Sequence, residues 1–275
     1  MEVRNETLMG TTSIVTDLKQ YSLPIGPWLT LPEVKDGKYW MGGKLDFGDI
    51  EEKYNLVFTT YGKVAMAYNP SLLNPSRARE MSYWDLAGTE FKGKIVMNDP
   101  RGAGPGQATA LFYYMEPKLG KNFLKALAAN ELVFSRDDRQ ILEWISRGKY
   151  VAALGHSDLM VNELQRAGVP NINSQPVLKE GTFAPNGFGS IIILDNTPHP
   201  AAARVYTNWL LSRDGQIAWS KATNQPSRRV DLPGDIADTE IMLKPGISYL
   251  LTYKEEIVLK RAEVLEAIYE IFGRN

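Results

Sequence analysis

Along this chain, short unbroken apolar runs alternate with stretches in which apolar residues recur every three or four positions. Ile95–Met97 and Tyr150–Leu154 are runs of the first kind and predict strands buried on both faces. Each is followed by a polar turn and then a helix-period stretch. After Ile95–Met97 come Asn98-Asp99-Pro100 and a turn with Gly102, Gly104 and Gly106 around Pro105. A helix is then expected from about Gln107, carrying Ala110, Leu111, Phe112 and Met115. Tyr150–Leu154 ends in Gly155-His156-Ser157-Asp158, ahead of a helix with Met160 and Leu164 that stops at Gly168. Near the amino end, Gly10-Thr11-Thr12-Ser13 precedes Ile14, Val15 and Leu18, spaced for one helical face.

The remaining elements fill in around these junctions. Residues 24–53, rich in Pro and Gly, predict loops and short helices around Trp28 and Trp40. Leu56–Asn69, broken at Gly62, and Thr182–Leu194, punctuated by glycines, are long β-rich runs suited to crossing between two lobes. Lys118–Asn130 predicts a helix with Phe123, Leu124 and Leu127 inward, and Leu132–Phe134 a short strand. Asp137-Asp138 read as caps of the helix that follows. From His199-Pro200 onward, Ala202, Val205, Tyr206, Trp209 and Leu210 share one apolar face. A terminal helix is expected over Tyr253–Phe272, with Val258, Leu265, Ile268 and Phe272 near one face. Strands alternating with helices indicate an α/β fold class.

Composition removes several function classes. Among 275 residues there is no cysteine and only two histidines, so thiolate chemistry, disulfides and histidine-rich metal sites are excluded. A formal net charge of −1 implies no bulk attraction to nucleic acid or anionic membranes. No stretch of about 18 apolar residues is present. MEVRNETLMG lacks the basic and apolar regions of a signal peptide.

Candidate chemistry lies at the three junctions. A helix amino end offers unpaired N–H groups and the positive pole of the helix dipole, which favour an anion. Arg101 adds an always-charged bidentate donor. A loop that only caps its own helix is the competing reading of Gly102–Gln107, and plain capping that of Thr11–Ser13. The glycine spacing fails G-x-G-x-x-G, and Gln107 stands where a phosphate-loop lysine is required. His156 has no serine or carboxylate partner at catalytic spacing, so a hydrogen-bonding or structural histidine is expected. Tyr113-Tyr114 lie on a helix, where adjacent side chains diverge by about 100°, and read as packing. Arg228-Arg229 read as a solvated charge pair. No catalytic constellation, metal site or cofactor site is expected, and the chain is not read as an enzyme.

Several stretches together resemble a known family. They are Tyr83-Trp84-Asp85-Leu86, Phe91–Arg101, Asn186–Leu194, Pro198-His199-Pro200-Ala201-Ala202 and Trp209–Gln216. Their order and spacing are similar to extracytoplasmic solute-binding proteins of bacterial ABC importers, type 2 periplasmic-binding-protein fold, ferric-iron-binding-like branch. The resemblance implies two α/β lobes with a ligand cleft between them: residues 1–65 and 186–275 as lobe 1, with the placement of 236–275 open, and 66–185 as lobe 2. It implies a signal peptide, a first strand and a first helix ahead of Gly10, so the first lobe is expected to be incomplete. It implies a small-molecule ligand, a membrane permease as partner, a periplasmic setting, a monomer and no nucleic acid. The iron branch carries adjacent tyrosines just after the strand matching Tyr150–Leu154. Here those positions read Gly155-His156-Ser157-Asp158, so iron is not carried over. The expected ligand contacts are Thr11, Thr12, Ser13, Arg101, Gly102, Gly104, Gly106, His156, Ser157, Asp158 and Arg228. They suit an organic anion, or a zwitterion whose amino group meets Asp158. A ferric site built from other ligands, a ligand-sensing effector domain and a cleft enzyme are the alternatives.

Overall fold

The computed structural model describes residues 18–187, 189–237 and 239–274. Thr11, Thr12 and Ser13 lie outside them. The chain gathers into two compact units. The first holds the described residues up to Gly62 with Ala184–Pro245 and Leu251–Leu259. The second holds Lys63–Phe183, Gly246–Leu250 and the chain from Lys260.

In the first unit, β1 (Ser22–Leu23) pairs antiparallel with β11 (Ile193–Leu194). A second sheet places β3 (Leu56–Val57) between β2 (Asp46–Phe47) and β10 (Ser190–Ile191), all antiparallel. The Pro- and Gly-rich segment winds through short 3-10 turns and the four-residue α1 (Pro32–Lys35). Two buried tryptophans, Trp28 and Trp40, anchor that segment among Phe58, Ile191, Leu210 and Leu211. The Trp40 indole donates to the Val34 carbonyl at 2.9 Å, satisfying its one polar atom. Helices α8 (Pro200–Leu211), α9 (Arg213–Thr223) and the short α10 (Glu255–Val258) complete the unit. Ser212 caps α9 by accepting from the Gly215 N–H, and left-handed Asn224 ends it.

Helix α8 departs from its expected orientation. Val205, Tyr206 and Trp209 are exposed, while Thr207, Asn208, Leu210 and Leu211 are buried. The reason is Asn208. Its Oδ1 accepts from the Thr30 and Leu31 amides at 2.6 and 3.0 Å, and its Nδ2 donates to the Trp28 and Arg204 carbonyls. Four hydrogen bonds make an asparagine the interior residue, because the loop it serves would otherwise carry buried, unpaired backbone groups.

The second unit is built on a five-stranded mixed sheet. Its strands are β4 (Met66–Tyr68), β5 (Ile95–Asn98), β6 (Val133–Ser135), β7 (Ala152–Leu154) and β8 (Asn173–Gln175), in the order β6-β5-β7-β4-β8. β5 runs parallel to β6 and β7, and β4 antiparallel to β7 and β8. The Leu56–Asn69 run is therefore two short strands, β3 and β4, in different sheets. Every residue of β5 and β7 is buried, as expected of interior strands covered on both faces. α2 (Pro75–Arg79) and α3 (Tyr83–Leu86) are short, and α3 is closed by a capping box from Ser82 and Asp85. α4 (Pro105–Met115), α5 (Gly120–Ala129), α6 (Asp138–Ser146) and α7 (Asp158–Arg166) pack around the sheet. Tyr83, Tyr113 and Phe123 meet edge to face, with the centroid of Tyr113 5.0 Å from each of the other two. Tyr114 points elsewhere and donates to Glu263 at 3.0 Å, so the tyrosine pair serves packing. β9 (Thr182–Ala184) pairs with β12 (Tyr249–Leu251) where the chain passes from one unit to the other.

The terminal helix expected over 253–272 is interrupted at Leu259-Lys260. α10 lies in the first unit, and α11 (Arg261–Phe272) lies in the second, packed on α4 and α5 through Val264, Ala267 and Ile268.

Candidate functional site

Three parallel strands of the second unit, β5, β6 and β7, end at the same edge of its sheet, and α4, α6 and α7 begin there. Carboxyl ends of strands in open α/β sheets are where ligands bind. A cavity of about 220 Å³ opens at this edge, lined by Asn98, Asp99, Gly102, Ala103, Pro105, Arg136 and Asp138.

The junctions are locked together closely. A Cβ on Gly106 would lie 2.1 Å from the Asn98 carbonyl oxygen, so only glycine allows α4 to start against the end of β5. Gly155, at φ +64°, abuts Gly106 in turn; a Cβ there would come within 2.9 Å of the Gly106 Cα. Asn98 ties two junctions: its Oδ1 accepts from the Gly106 N–H at 3.2 Å, and its Nδ2 donates to Asp138 Oδ1 at 2.9 Å. α4 starts at Pro105, earlier than expected, because proline at N1 needs no N–H partner. Its N-cap Gly104 provides no side-chain cap.

Arg101 is engaged internally. Its Nε and Nη2 donate to the two oxygens of Asp99 at 2.8 and 3.1 Å, its Nη1 reaches the Phe272 carbonyl at 3.5 Å, and its guanidinium stacks on Phe134. Burial, the largest single influence on Asp99, would raise its carboxyl pKa. Hydrogen bonds from Arg101 and the charges of Arg101 and Arg136 hold it below the ordinary value instead. Arg136 approaches the same carboxylate with Nε at 3.3 Å but is largely exposed, and it lines the cavity.

Of the predicted pair Asp137-Asp138, Asp137 is the cap, accepting from the Gln140 N–H at 3.0 Å. Asp138 is a different residue chemically. It lines the cavity, and burial raises its pKa against opposing pulls from Asn98, the Lys63 charge and the Ser157 backbone N–H.

At the third junction, Lys63 closes a buried cluster. Its Nζ lies 3.0 Å from Asp158 Oδ2 and donates to the His156 carbonyl at 2.9 Å. The Asp158 carboxylate, expected to meet an amino group of the ligand, already faces an ammonium of the chain itself. His156 is completely buried, and neither ring nitrogen reaches a partner at hydrogen-bond geometry; Nε2 stands 3.8 Å from Asp158 Oδ1. Burial, followed by the Lys63 charge, pushes its pKa down to about 3, so it is a neutral core side chain. Ser157 is the N-cap residue of α7 without a side-chain cap bond.

Arg228 and Arg229 are buried in the first unit rather than solvated. Arg228 Nη1 meets Thr60 Oγ1 at 3.0 Å and Asp46 Oδ2 at 3.4 Å. Asp46 also accepts a hydrogen bond from the Tyr253 hydroxyl at 2.6 Å and pairs with Lys254 at 2.7 Å. Arg229 forks onto Asp231 at 2.9 and 2.8 Å between the rings of Tyr39 and Trp40. Two adjacent arginines inside the protein each need an acid nearby, and Asp46 lies too far along the sequence to be recognised as one.

A family model, described as bacterial extracellular solute-binding protein, matches residues 55–222, more than half of the chain. The chain belongs to this family. Solved structures share its type 2 periplasmic-binding-protein fold at low identity. Apo ferric ion-binding protein A of Pasteurella haemolytica aligns at TM-score 0.68 and 16% identity over 100% of this chain and 82% of its own. An ABC transporter protein of Clostridium perfringens aligns at 0.67 and 17%, over 92% and 79%. A periplasmic thiamin binding protein aligns at 0.62 and 15%, over 99% and 78%.

Gly102, Gly104, Gly106 and Ser157 all lie at the strand carboxyl ends of the second unit's sheet, with Gly106 against Gly155. Asn98, Arg136 and Asp138 line the cavity, and Lys63 pairs with Asp158, without any of the four having been expected as ligand contacts. One signal was available: a single helix has one N-cap, so the second of two adjacent aspartates is free for other work. Among the described residues no group of three or more His, Asp or Glu is placed to hold a metal ion.

Proposed function

We propose that the chain is the solute-capturing component of an ABC-type importer, holding a small organic solute and passing it to a membrane permease. The observation that carries this reading is the cavity at the strand carboxyl ends of the second unit, in a chain that belongs to the extracellular solute-binding proteins. At about 220 Å³ it lies below the usual range for drug-sized ligands, about 300–1,000 Å³, and suits a small metabolite. Its wall is preorganised by Asn98, Gly106 and Gly155, so binding requires little ordering of the protein. No covalent chemistry enters. Iron is not favoured: the Tyr113 hydroxyl is buried with its pKa raised by burial, and Tyr114 is bonded to Glu263.

A thermal-shift screen of the full chain over organic acids, amino compounds, phosphonates, sugars, thiamine and ferric salts tests the reading. Ligand at 100 times its Kd stabilises the folded form by about 2.7 kcal/mol, a clear shift in Tm. Stabilisation by a small organic solute is expected. A response to ferric salt alone would replace the organic solute with iron, and no response to any class would remove the reading.

A further inference from the structure

The charges around the second unit's cavity do not match a simple anion. Asp138 lines it with a carboxylate whose named donors are the Asn98 amide and the Ser157 N–H, fewer than the roughly four lone-pair positions a carboxylate offers. Burial raises its pKa. The Lys63 charge acts on it, and Lys63 is itself paired with Asp158 at 3.0 Å. Asp99, the other lining acid, is already neutralised by Arg101. Arg136 offers the complementary donors. Among the described residues only its Nε is engaged, at 3.3 Å from Asp99, and its Nη groups are left beside Gly102, whose Cβ position would be 3.4 Å from the guanidinium. The cavity therefore has a half-buried carboxylate with open acceptor positions at the start of α6 and an exposed guanidinium with open donors beside the α4 turn.

We propose that this cavity selects a small zwitterion, with a protonated nitrogen received by Asp138 and an acid group received by Arg136. The proposal rests on the solute-binding reading above and names its substrate class. Arg101 is not a ligand contact on this account. It positions Asp99, which in turn orients Arg136.

The test is calorimetric titration of the full chain with three matched sets. The first holds amino carboxylates and aminophosphonates of two to six carbons. The second holds the same acids without nitrogen, and the third the same amines without the acid group. The tightest binder is expected in the first set, with at least a tenfold loss on removing either group. Asp138→Asn should weaken that binder at least tenfold while leaving its nitrogen-free counterpart unchanged. Arg136→Gln, on an exposed side chain that does not endanger folding, should weaken it while leaving the acid-free amine unchanged. A nitrogen-free acid binding as tightly as its amino counterpart, or full affinity in Asp138→Asn, overturns the proposal. Tight binding of a sugar, thiamine or iron in place of these sets also overturns it. In the sugar and thiamine cases the solute-binding reading survives, whereas silence across every class removes both.

Discussion

Arg101 and Asp99 stand two residues apart, and that spacing decides what the arginine does. The Asp99 carboxylate accepts from the Arg101 backbone N–H at 3.0 Å as well as from its guanidinium, an Asx-type turn closed by a charge pair. Sequence reading singled out Arg101 for its place in the glycine turn, but a guanidinium with a carboxylate so near is satisfied before any ligand arrives. Arg101→Ala should destabilise the protein by about 1–3 kcal/mol, since a buried acid loses its main partner. Arg101→Lys should recover only part of this, because an ammonium cannot fork onto both oxygens. Urea denaturation measures both, and an unchanged midpoint in Arg101→Ala would refute the positioning role. His156 gives a second residue-scale expectation. Its folded pKa of about 3 lies below the ordinary 6.5, so the unfolded chain takes up a proton that the folded chain refuses. The corresponding stability is present above pH 6.5 and declines as pH falls from there toward 3, by up to about 1.4 kcal/mol per unit. His156→Gln should flatten that decline in urea midpoints between pH 7 and pH 4.5. An equally steep decline in the variant would show that other groups cause it.

At the scale of elements, the order of strands and helices was legible because buried parallel strands write unbroken apolar runs and helix starts write glycine, proline and hydroxyl signals. β5, β7, α4 and α7 all follow from that grammar. The orientation of α8 was not legible, because periodicity records which residues lie on one stripe but not which stripe faces inward. The stripe holding Val205, Tyr206 and Trp209 is the more apolar, yet Asn208 is the residue that the neighbouring loop needs. Substitution separates the two orientations. Leu211→Ala, at 0% exposure and off the expected face, should cost about 2–5 kcal/mol. Trp209→Ala, at 49% exposure, should stay within about 0.5 kcal/mol of the parent apart from its stacking on Tyr206. The reverse ranking in chemical denaturation would restore the expected face.

At the scale of the whole molecule, the chain returns to its second unit twice, at Gly246–Leu250 and again from Lys260, and no local pattern announces which unit receives a terminal helix. α11 is joined to the second unit by Val264 and Ile268, both nearly fully buried, by the edge-to-face contact of Phe272 with Phe134, and by the Phe272 carbonyl that receives Arg101. Burying a Val or Ile side chain contributes about 1.5–3 kcal/mol, so the helix supplies several kcal/mol to this unit. It also couples distant sequence to the candidate site, because Arg101 holds Asp99 and Asp99 holds Arg136. Truncation after Leu259 should therefore act unevenly. Amide hydrogen exchange should accelerate in β5 and β6, which lose the Phe272 contact with Phe134 and the Arg101 anchor, while β3 and β10 of the first unit keep their protection. Binding of any cavity ligand should weaken in the same variant, although none of the deleted residues lines the cavity. Uniform loss of protection across both units would mean that the chain unfolds as one cooperative body. Unchanged exchange in β5 and β6 would mean that α11 is dispensable to this sheet, and the coupling from Phe272 through Arg101 to the cavity wall would fall with it.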